Sequence, residues 1–296
     1  MLFRSVNPIT TAKTTKRGHV GCLAVFITAA ALSVATTAHA QQPANQPAPV
    51  PEIRPGILAG YLPPKVLPDS LALLPSPPAA GSAALARDEA FNRTGLALRG
   101  TARWALAADD ADLMFPQAAS RFSCALGAPI TEQDTPHLYM LVRRTLADVG
   151  LSTYHAKDHY GRARPFTVNN EPICTPSQET DLRKDGSYPS AHSAIGWAWA
   201  LILTEVAPDQ TDAILARGQT FGQSRVVCNV HWESDVLEAQ LIGAATVARL
   251  HSDPGFLADL GTGKAELAAV RAKGAKPTQD CDAEAAALAL EPLQAP

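Results

Sequence analysis

The sequence lacks an excess of positive charge. Its 296 residues include 25 Lys and Arg against 28 Asp and Glu, a formal net charge of −3. Four basic residues and no acidic ones fall within residues 1–40, so the rest of the chain carries 21 basic and 28 acidic residues. This balance excludes an extended basic face for nucleic acid or anionic lipid, and a bound anion must be held by a local cluster of cations.

Cysteine is scarce as well, with five in the chain at spacings that match no zinc-binding motif. Four of them follow residue 40: Cys124, Cys174, Cys228 and Cys281. An exported protein can pair four cysteines as two disulfides in three ways, which the sequence does not distinguish. Buried free thiols are the alternative, above all for Cys228, which lies in a largely apolar segment.

Beyond residue 40 the chain has no apolar run long enough to cross a membrane. Before it, basic residues precede an apolar run over residues 22–35, and an Ala-x-Ala pattern ends at Ala40. That run is shorter than the roughly 20 residues of a spanning helix, and the order of features is typical of a secretory signal peptide. We therefore predict a signal peptide over 1–40, cleaved after Ala40, and an exported protein with no stable membrane insertion.

Proline-rich stretches divide the remaining chain. Residues 41–79 have many prolines and few large apolar side chains, so they are interpreted as a leader and linker. Residues 80–260 have the length of one folded domain. Residues 261–296 are rich in alanine and are predicted to be a frayed helix or a tail.

The alternation and turn signals of β-structure are nearly absent, whereas helical periodicity recurs. Four helices are predicted. The first begins at Pro136 after the N-cap Thr135 and ends before Gly150, and the second follows the N-cap Ser152 and runs to Arg164. The third and fourth cover residues 191–207 and 231–251. Pro165 marks the end of the second helix because proline disfavours helical geometry in the preceding residue. The predicted fold is therefore all-α, a single-domain helical bundle.

Three cations are candidates for an anion site. Lys157 and Arg164 are seven residues apart, so on one helix they project from the same face, and Arg225 is the third. Ser190 adds an N-cap and with it a helix N-terminus, where backbone N–H groups and the helix dipole attract anions. Arginine offers paired donors and lysine a point charge, so this set predicts a pocket of phosphate size.

Two histidines complete the predicted pocket. His231 lies four residues before Asp235, so the imidazole and the carboxylate would share a helix face. His192 lies in the first turn of the helix that Ser190 caps. A carboxylate can keep one imidazole neutral and nucleophilic, while the other imidazole serves as an acid.

A second pair, His155 and His159, has the i, i+4 spacing of a zinc site. Lys157 and Arg164 flank this pair, however, and cations repel a metal ion while they attract phosphate. We therefore predict no metal site and no cofactor. The segment AADDAD at residues 107–112 gathers three aspartates and is interpreted as a solvated helix end.

Three segments carry a resemblance to a known family. KDHYGRARP (157–165), YPSAH (188–192) and SRVVCNVHWESD (224–235) are similar, in order, to the pattern K-x6-R-P, P-S-G-H, S-R-x5-H-x3-D of the type 2 phosphatidic acid phosphatase (PAP2) and vanadium haloperoxidase superfamily. Ala191 replaces the glycine of P-S-G-H; as a first helical residue it would keep its N–H donor. The sequence over residues 61–257 most resembles the secreted class A non-specific acid phosphatases of bacteria.

The resemblance implies an all-α fold, a periplasmic location, broad phosphate-monoester substrates, independence of metal ions and often a homo-oligomer. By position, His231 would attack phosphorus, Asp235 would fix the tautomer of His231, and His192 would protonate the leaving group and then activate water. The phosphoryl oxygens would be held by Lys157, Arg164, Arg225 and Ser190 and by the backbone amides of Ala191 and His192.

Other functions stay open on the sequence alone. A vanadate-dependent haloperoxidase uses much the same pocket, and lipid phosphatases share the pattern but usually span membranes. A non-catalytic periplasmic phosphate-binding protein would need the cations, but it would not need a His–Asp pair beside a second histidine.

Overall fold

A computed structural model describes residues 46–290 of the chain, so the predicted signal peptide lies outside the described residues. The α-helices are α1 (Ser70–Leu73), α2 (Ala83–Ala97), α3 (Ala102–Asp110), α4 (Ser123–Leu126), α5 (Pro136–Ser152), α6 (Tyr154–Tyr160), α7 (Pro165–Asn169), α8 (Glu179–Leu182), α9 (Ala191–Val206), α10 (Thr211–Val227), α11 (Glu233–Leu250), α12 (Pro254–Ala272) and α13 (Cys281–Leu288). Strands β1 (Glu52–Arg54) and β2 (Ile57–Leu58) form one antiparallel pair. The predicted all-α fold is confirmed.

Helix α9 lies at the centre of the molecule. Its side chains are apolar on nearly every side, the pattern of a buried helix, and it packs against α5, α10, α11 and α12. A Cβ at Gly243 of α11 would lie 2.6 Å from the carbonyl oxygen of Ala194, so glycine permits the close approach of these two helices. Within residues 46–290, every helix is too short or too polar to serve as a membrane span.

The boundaries of α9 confirm the predicted third helix. The Ser190 side chain accepts the N–H of Ser193 at 3.2 Å and caps the helix. The helix ends at Val206, two residues before Pro208. Ser190 N–H also donates to the carbonyl oxygen of Asp235 at 3.0 Å, which joins the start of α9 to the start of α11.

The predicted second helix, capped by Ser152 and running to Arg164, is wrong at both ends. The preceding helix α5 continues through Gly150 to Ser152, and α6 stops at Tyr160. Gly161 then adopts a left-handed conformation with φ of 50°, which suits glycine and ends the helix.

Arg164 follows this break in an extended conformation, with φ of −78° and ψ of 150°. Pro165 requires that geometry of its predecessor and opens α7 as the first helical residue. Lys157 and Arg164 therefore lie on different elements, and the predicted shared helix face is wrong. The turn between the two helices, and not helical spacing, brings both cations to one site.

The segment interpreted as a leader contains the β1–β2 pair, with Gly56 at φ of 78° in the turn between the strands. Tyr61 and Leu62 donate their backbone N–H groups to the two carboxylate oxygens of Asp148 in α5, both at 2.9 Å. Four closely spaced apolar residues in this stretch, Ile57, Leu58, Tyr61 and Leu62, are buried. The average composition of residues 41–79 is rich in proline, so it did not indicate that this short segment packs against α5.

Helix α12 crosses the predicted domain boundary at residue 260. It packs along α5, where Gly263 approaches the backbone of Leu138. The Glu266 carboxylate accepts the backbone N–H groups of His137 and Leu138 at the start of α5, at 3.0 and 3.1 Å. This contact satisfies two helix donors that have no partner within the helix, so α12 supports the α5 terminus.

Two disulfides resolve the pairing that the sequence left open. Cys124 joins Cys281, which ties α4 to α13, and Cys174 joins Cys228. The alternative of a free thiol at Cys228 is therefore wrong. The second disulfide is three residues from His231 along the chain, so it holds the loop after α7 against the segment that carries this histidine.

Candidate active site

The N-terminus of α9 forms one wall of the site. Ala191 is the first residue of the helix, and its φ is not positive, so alanine is accommodated here without strain. The first N–H groups of a helix have no acceptor within it. Those of Ala191 and His192 are therefore available to an anion at the positive end of the helix dipole.

His231 and Asp235 meet across the start of α11. The helix begins at Glu233, so His231 precedes it, and the predicted shared helix face is wrong. Asp235 is the third helical residue, and its Oδ2 reaches back to accept the N–H of Trp232 at 2.8 Å. The same oxygen lies 3.3 Å from His231 Nδ1. An acidic side chain at this position caps the helix and orients the imidazole in one arrangement.

The other ring nitrogen of His231 faces an arginine. Arg164 Nη1 lies 3.0 Å from His231 Nε2. Guanidinium nitrogens only donate, so Nε2 is the acceptor and Nδ1 carries the proton that points to Asp235. Burial, followed by the charge of Arg164, lowers the pKa of His231 well below its ordinary value. The imidazole is therefore neutral, and its unprotonated Nε2 accepts from Arg164 Nη1.

Arg164 is held by backbone carbonyl groups. Its Nε donates to the carbonyl oxygens of Leu182 and Asp185, both at 3.0 Å, and Nη1 donates to that of Val230 at 2.9 Å. Burial lowers its pKa, yet guanidinium stays protonated in proteins. These contacts fix the orientation of the planar group in advance of any ligand.

Lys157 is the second cation and is 2 % exposed. Its Nζ donates to the carbonyl oxygen of Gly186 at 2.8 Å, which leaves further donor capacity on the ammonium group. Burial, with the nearby charge of Arg164, lowers the pKa of Lys157 to about 8. Lys157 is therefore charged in acid and begins to lose its proton above neutral pH.

Arg225 in α10 is fully buried, and Nε, Nη1 and Nη2 make no hydrogen bond to any described residue. Burial, with the charge of Arg164, lowers its pKa to about 9, so it stays charged at neutral pH. A buried cation without partners is costly to a fold. Its charge lowers the pKa of both His192 and His231, after burial, which indicates that it lies near the two histidines.

His192 extends from the second position of α9 and is half-buried. Its Nε2 lies 3.1 Å from the carbonyl oxygen of Ala111. A carbonyl only accepts, so Nε2 carries a proton and Nδ1 is the nitrogen left for a ligand. Burial, followed by the charge of Arg225, lowers the pKa of His192 well below its ordinary value.

These groups converge on one small recess. Its lining consists of Leu113, Tyr154, Lys157, Arg164, Leu182, Asp185, Ala191, His192, Ile195 and His231. Three other predicted residues are fully buried and do not belong to this lining: Ser190, Arg225 and Asp235. The recess is therefore rich in cations and hydrogen-bond donors and has two imidazoles, a chemistry that suits a phosphoryl group.

Sequence reasoning missed Arg162, which lies within the segment KDHYGRARP. Its Nη1 donates to Asp235 Oδ1 at 2.6 Å and to Ser234 Oγ at 2.7 Å. Its Nη2 donates to Asp88 Oδ2 at 2.6 Å, and Asp88 in turn accepts the backbone N–H of Ser234 at 2.8 Å. Burial raises the pKa of Asp235 while the charge of Arg162 opposes that rise. An arginine two residues before Arg164 was the available signal, but Asp88 is too distant in the sequence to be inferred.

The segment AADDAD also differs from its interpretation as a solvated helix end, because Asp110 is fully buried. The Asp110 carboxylate pairs with Arg217 and accepts the hydroxyl of Ser224 at 2.6 Å. These bonds anchor the end of α3 to α10. They fix Asp110, which precedes Ala111, and Ser224, which precedes Arg225. The carbonyl of Ala111 in turn binds His192.

His155 and His159, the pair with the i, i+4 spacing of a zinc site, have separate partners. His155 pairs with the exposed Asp69 at 2.9 Å, and the His159 ring packs edgewise on Tyr160. In the part of the chain from 46 to 290, no three or more His, Cys, Asp or Glu residues are arranged to hold a metal ion.

Comparison with known proteins identifies the family of the chain. The family model of the PAP2 superfamily matches residues 137–256, which include the three motif segments. The chain is 46% identical over 204 residues to a non-specific acid phosphatase of Providencia stuartii, across 69% of this chain and 82% of that protein. It is 40% identical over 209 residues to an acid phosphatase of Zymomonas mobilis, across 71% and 79%.

A non-specific acid phosphatase of Salmonella typhimurium is 40% identical over 195 residues, across 66% of this chain and 78% of that protein. These alignments span most of each relative. The chain therefore belongs to the bacterial class A non-specific acid phosphatases of the PAP2 superfamily.

Proposed function

We propose that this acid phosphatase hydrolyses a broad range of phosphate monoesters through a phosphohistidine formed on His231. One observation carries the proposal. His231 presents a neutral Nε2 toward the cationic recess while Nδ1 points to Asp235. A phosphate-binding protein needs no such oriented imidazole, whereas a covalent mechanism does.

In the first step His231 Nε2 forms a bond to phosphorus as the ester P–O bond breaks. The leaving alkoxide takes a proton from His192 Nδ1, because Nε2 of that ring is bound to Ala111. Asp235 stabilises the positive charge that develops on the attacking imidazole. Its distance from Nδ1, 3.3 Å, shortens readily once that nitrogen belongs to a cation.

In the second step His192 takes a proton from water, and the resulting hydroxide displaces His231 from phosphorus. Lys157, Arg164 and Arg225 hold the phosphoryl oxygens in both steps, together with Ser190 and the N–H groups of Ala191 and His192. Phosphoryl transfer relies mainly on positioning and charge stabilisation. An alcohol in place of water would give phosphotransferase activity.

We further propose that the mature protein is periplasmic and forms a homo-oligomer. Two disulfides support export to an oxidising compartment. Leu237 and Leu241 are adjacent on α11 and about half exposed, which supports an association surface. Cell fractionation tests the location, and light scattering of the purified protein tests the subunit number.

The activity is tested with p-nitrophenyl phosphate at acid pH, in buffer with EDTA. The proposal expects phosphate release with EDTA present, and expects none from His231→Ala. Halide oxidation after vanadate addition, without phosphate release, would identify a haloperoxidase instead. Stoichiometric phosphate binding without turnover would identify a binding protein.

A further inference from the structure

A second cavity adjoins the catalytic recess. The two share Leu113, Leu182 and His192 in their linings. The recess encloses about 30 Å³, room for only a few water-sized groups at roughly 10–15 Å³ each. The adjoining cavity encloses about 320 Å³, within the range of roughly 300–1,000 Å³ found for small-molecule sites. The inner recess therefore suits a phosphoryl group and the outer cavity a larger body.

His192 lies where the two cavities meet. It is the proton donor to the leaving oxygen in the proposed mechanism, so that oxygen must lie beside it. With the phosphoryl group in the inner recess, the alcohol of the ester then extends into the outer cavity. The direction follows from the shared residue and does not depend on the identity of the alcohol.

The walls of the outer cavity are apolar on one side. Leu113 and Leu182 are buried, and the Met114 side chain is about one-third exposed. A Cβ at Gly56 would lie 2.2 Å from Met114 Cε, so the β1–β2 turn packs directly against this methionine. The docked N-terminal segment thus supports one wall of the cavity.

Charge in the outer cavity is negative. Asp112 and Asp181 belong to its lining, and no lysine or arginine of the described chain does. Asp181 is exposed and pairs with the exposed Lys184 at 3.6 Å, which offsets its charge. Asp112 accepts the backbone N–H of Met114 at 2.9 Å and forms no ion pair with a described residue, so its charge acts on the cavity. The outer cavity therefore carries negative charge, whereas the inner recess carries positive charge.

We propose that this outer cavity, defined by Leu113, Met114, Leu182 and Asp112, binds the alcohol of the substrate and selects apolar or aromatic alcohols that carry no negative charge. This inference rests on the proposed function, because it takes the orientation of the ester from the role of His192. The preferred substrates are then phosphate monoesters of neutral or cationic aryl alcohols.

The charge preference is tested with phenyl phosphate and 4-carboxyphenyl phosphate, which differ by one anionic group. The measured quantity is the ratio of kcat/KM between variant and wild type, which cancels the intrinsic reactivity of each ester. Asp112→Asn keeps the acceptor for Met114 N–H and removes the charge. We expect kcat/KM for the carboxylated ester to rise about threefold to fivefold relative to kcat/KM for phenyl phosphate. Glu89→Gln, on the exposed face of α2, is the matched control.

The apolar wall is tested with Met114→Ala, phenyl phosphate and glycerol 2-phosphate. We expect kcat/KM for phenyl phosphate to fall about threefold to tenfold, while glycerol 2-phosphate changes by less than twofold. Equal effects of each variant on both esters would overturn the assignment of the cavity. Hydrolysis of none of these esters by the wild type would instead contradict the proposed function, so the two failures are distinguishable.

Discussion

Arg162 lies closer to Asp235 than His231 does. Arg162 Nη1 is 2.6 Å from one carboxylate oxygen of Asp235, whereas His231 Nδ1 is 3.3 Å from the other. The same guanidinium binds Asp88 through Nη2, so both terminal nitrogens of Arg162 are held by carboxylates. The orientation of Asp235 is therefore set by Arg162 and by the Trp232 N–H before any substrate arrives.

Replacement of Arg162 with glutamine is expected to lower kcat by about tenfold to a hundredfold, the usual effect of losing a partner of a functional group. KM should change by less than about twofold, because Arg162 does not line the recess. Steady-state kinetics measure both quantities. Arg93→Gln, an exposed arginine on α2, is the control and should match the wild type.

A purely structural role for Arg162 would give a different result. Loss of folding would lower the active fraction and the melting temperature without a change in the pH profile. If Arg162 positions Asp235, the acidic limb of the pH profile of kcat should move in the Arg162→Gln variant. Asp235 then acts on His231 without the charge of Arg162. An unchanged kcat in a folded Arg162→Gln variant would contradict this role.

The pH dependence follows from the lowered pKa of both histidines. His231 stays neutral into acid, so activity persists below its ordinary titration range. The free enzyme loses the His192 proton as pH rises through a value below 6.5, so kcat/KM should fall on the alkaline side. A bound phosphoryl dianion raises the pKa of His192, and the alkaline limb of kcat should lie at higher pH than that of kcat/KM.

Profiles of both constants between about pH 4 and pH 9 test this order. The loss of the Lys157 proton around its pKa of about 8 adds to the alkaline fall. A flat profile through the alkaline range would contradict the acid role of His192. Coincident limbs for kcat and kcat/KM would contradict the effect of the bound dianion.

Replacement of Arg225 with methionine is expected to raise the stability of the fold and to weaken phosphate binding. The buried guanidinium has no hydrogen-bond partner among the described residues, so its removal should raise the free energy of unfolding by about 1–3 kcal/mol in phosphate-free buffer. Phosphate should stabilise the wild type by about 2.7 kcal/mol at a hundred times its Kd and should have little effect on the variant.

Thermal unfolding with and without phosphate measures both effects. Arg103→Met is the matched comparison, because Arg103 is also buried but donates to Ser224 Oγ at 2.9 Å and to the carbonyl oxygen of Thr220 at 3.0 Å. This second variant should be destabilised. Equal destabilisation of both variants would contradict a functional reason for the unpaired donors of Arg225.

Ala191→Gly is expected to leave phosphate inhibition within about twofold of the wild type. Ala191 already has helical geometry as the first residue of α9, so its N–H donor has the same direction with either side chain. Glycine should lower stability by roughly 0.5–1 kcal/mol. A large gain in activity would contradict the view that alanine is neutral at this position.

The sequence predicted the part of the site that depends on local signals. Ser190 as N-cap, Ala191 as the first helical residue and Pro208 after the helix are positions where one residue type decides the backbone. The ordered motif segments also contained five residues that line one recess: Lys157, Arg164, Ala191, His192 and His231. The all-α fold followed from recurring helical periodicity.

The relative placement of residues on neighbouring elements was predicted wrongly from the sequence. Lys157 and Arg164 were expected on one helix, but Gly161 breaks it and a turn sets their separation. His231 and Asp235 were expected on one helix face, but the carboxylate reaches back over the helix start. Periodicity cannot distinguish a side chain that caps a helix from one that projects from its face.

Contacts between distant segments were not predictable at all. Asp88 meets Arg162, and Asp148 holds the backbone at Tyr61, across more than seventy residues of chain. Such polar pairs follow from how the elements pack, and composition treats the same residues as ordinary surface charges. The disulfide pairing belongs to this class as well, since three arrangements fitted the sequence.

The central claim is that His231 becomes phosphorylated during turnover. It is tested most directly by rapid acid-free quenching of the enzyme with a monoester substrate, followed by peptide mapping of the phosphorylated residue at alkaline pH. We expect a phosphoryl group on His231 in the wild type and none in His231→Ala, whose kcat falls by several orders of magnitude. A phosphorylated His231→Ala variant, or phosphate on another residue of the wild type, would contradict it.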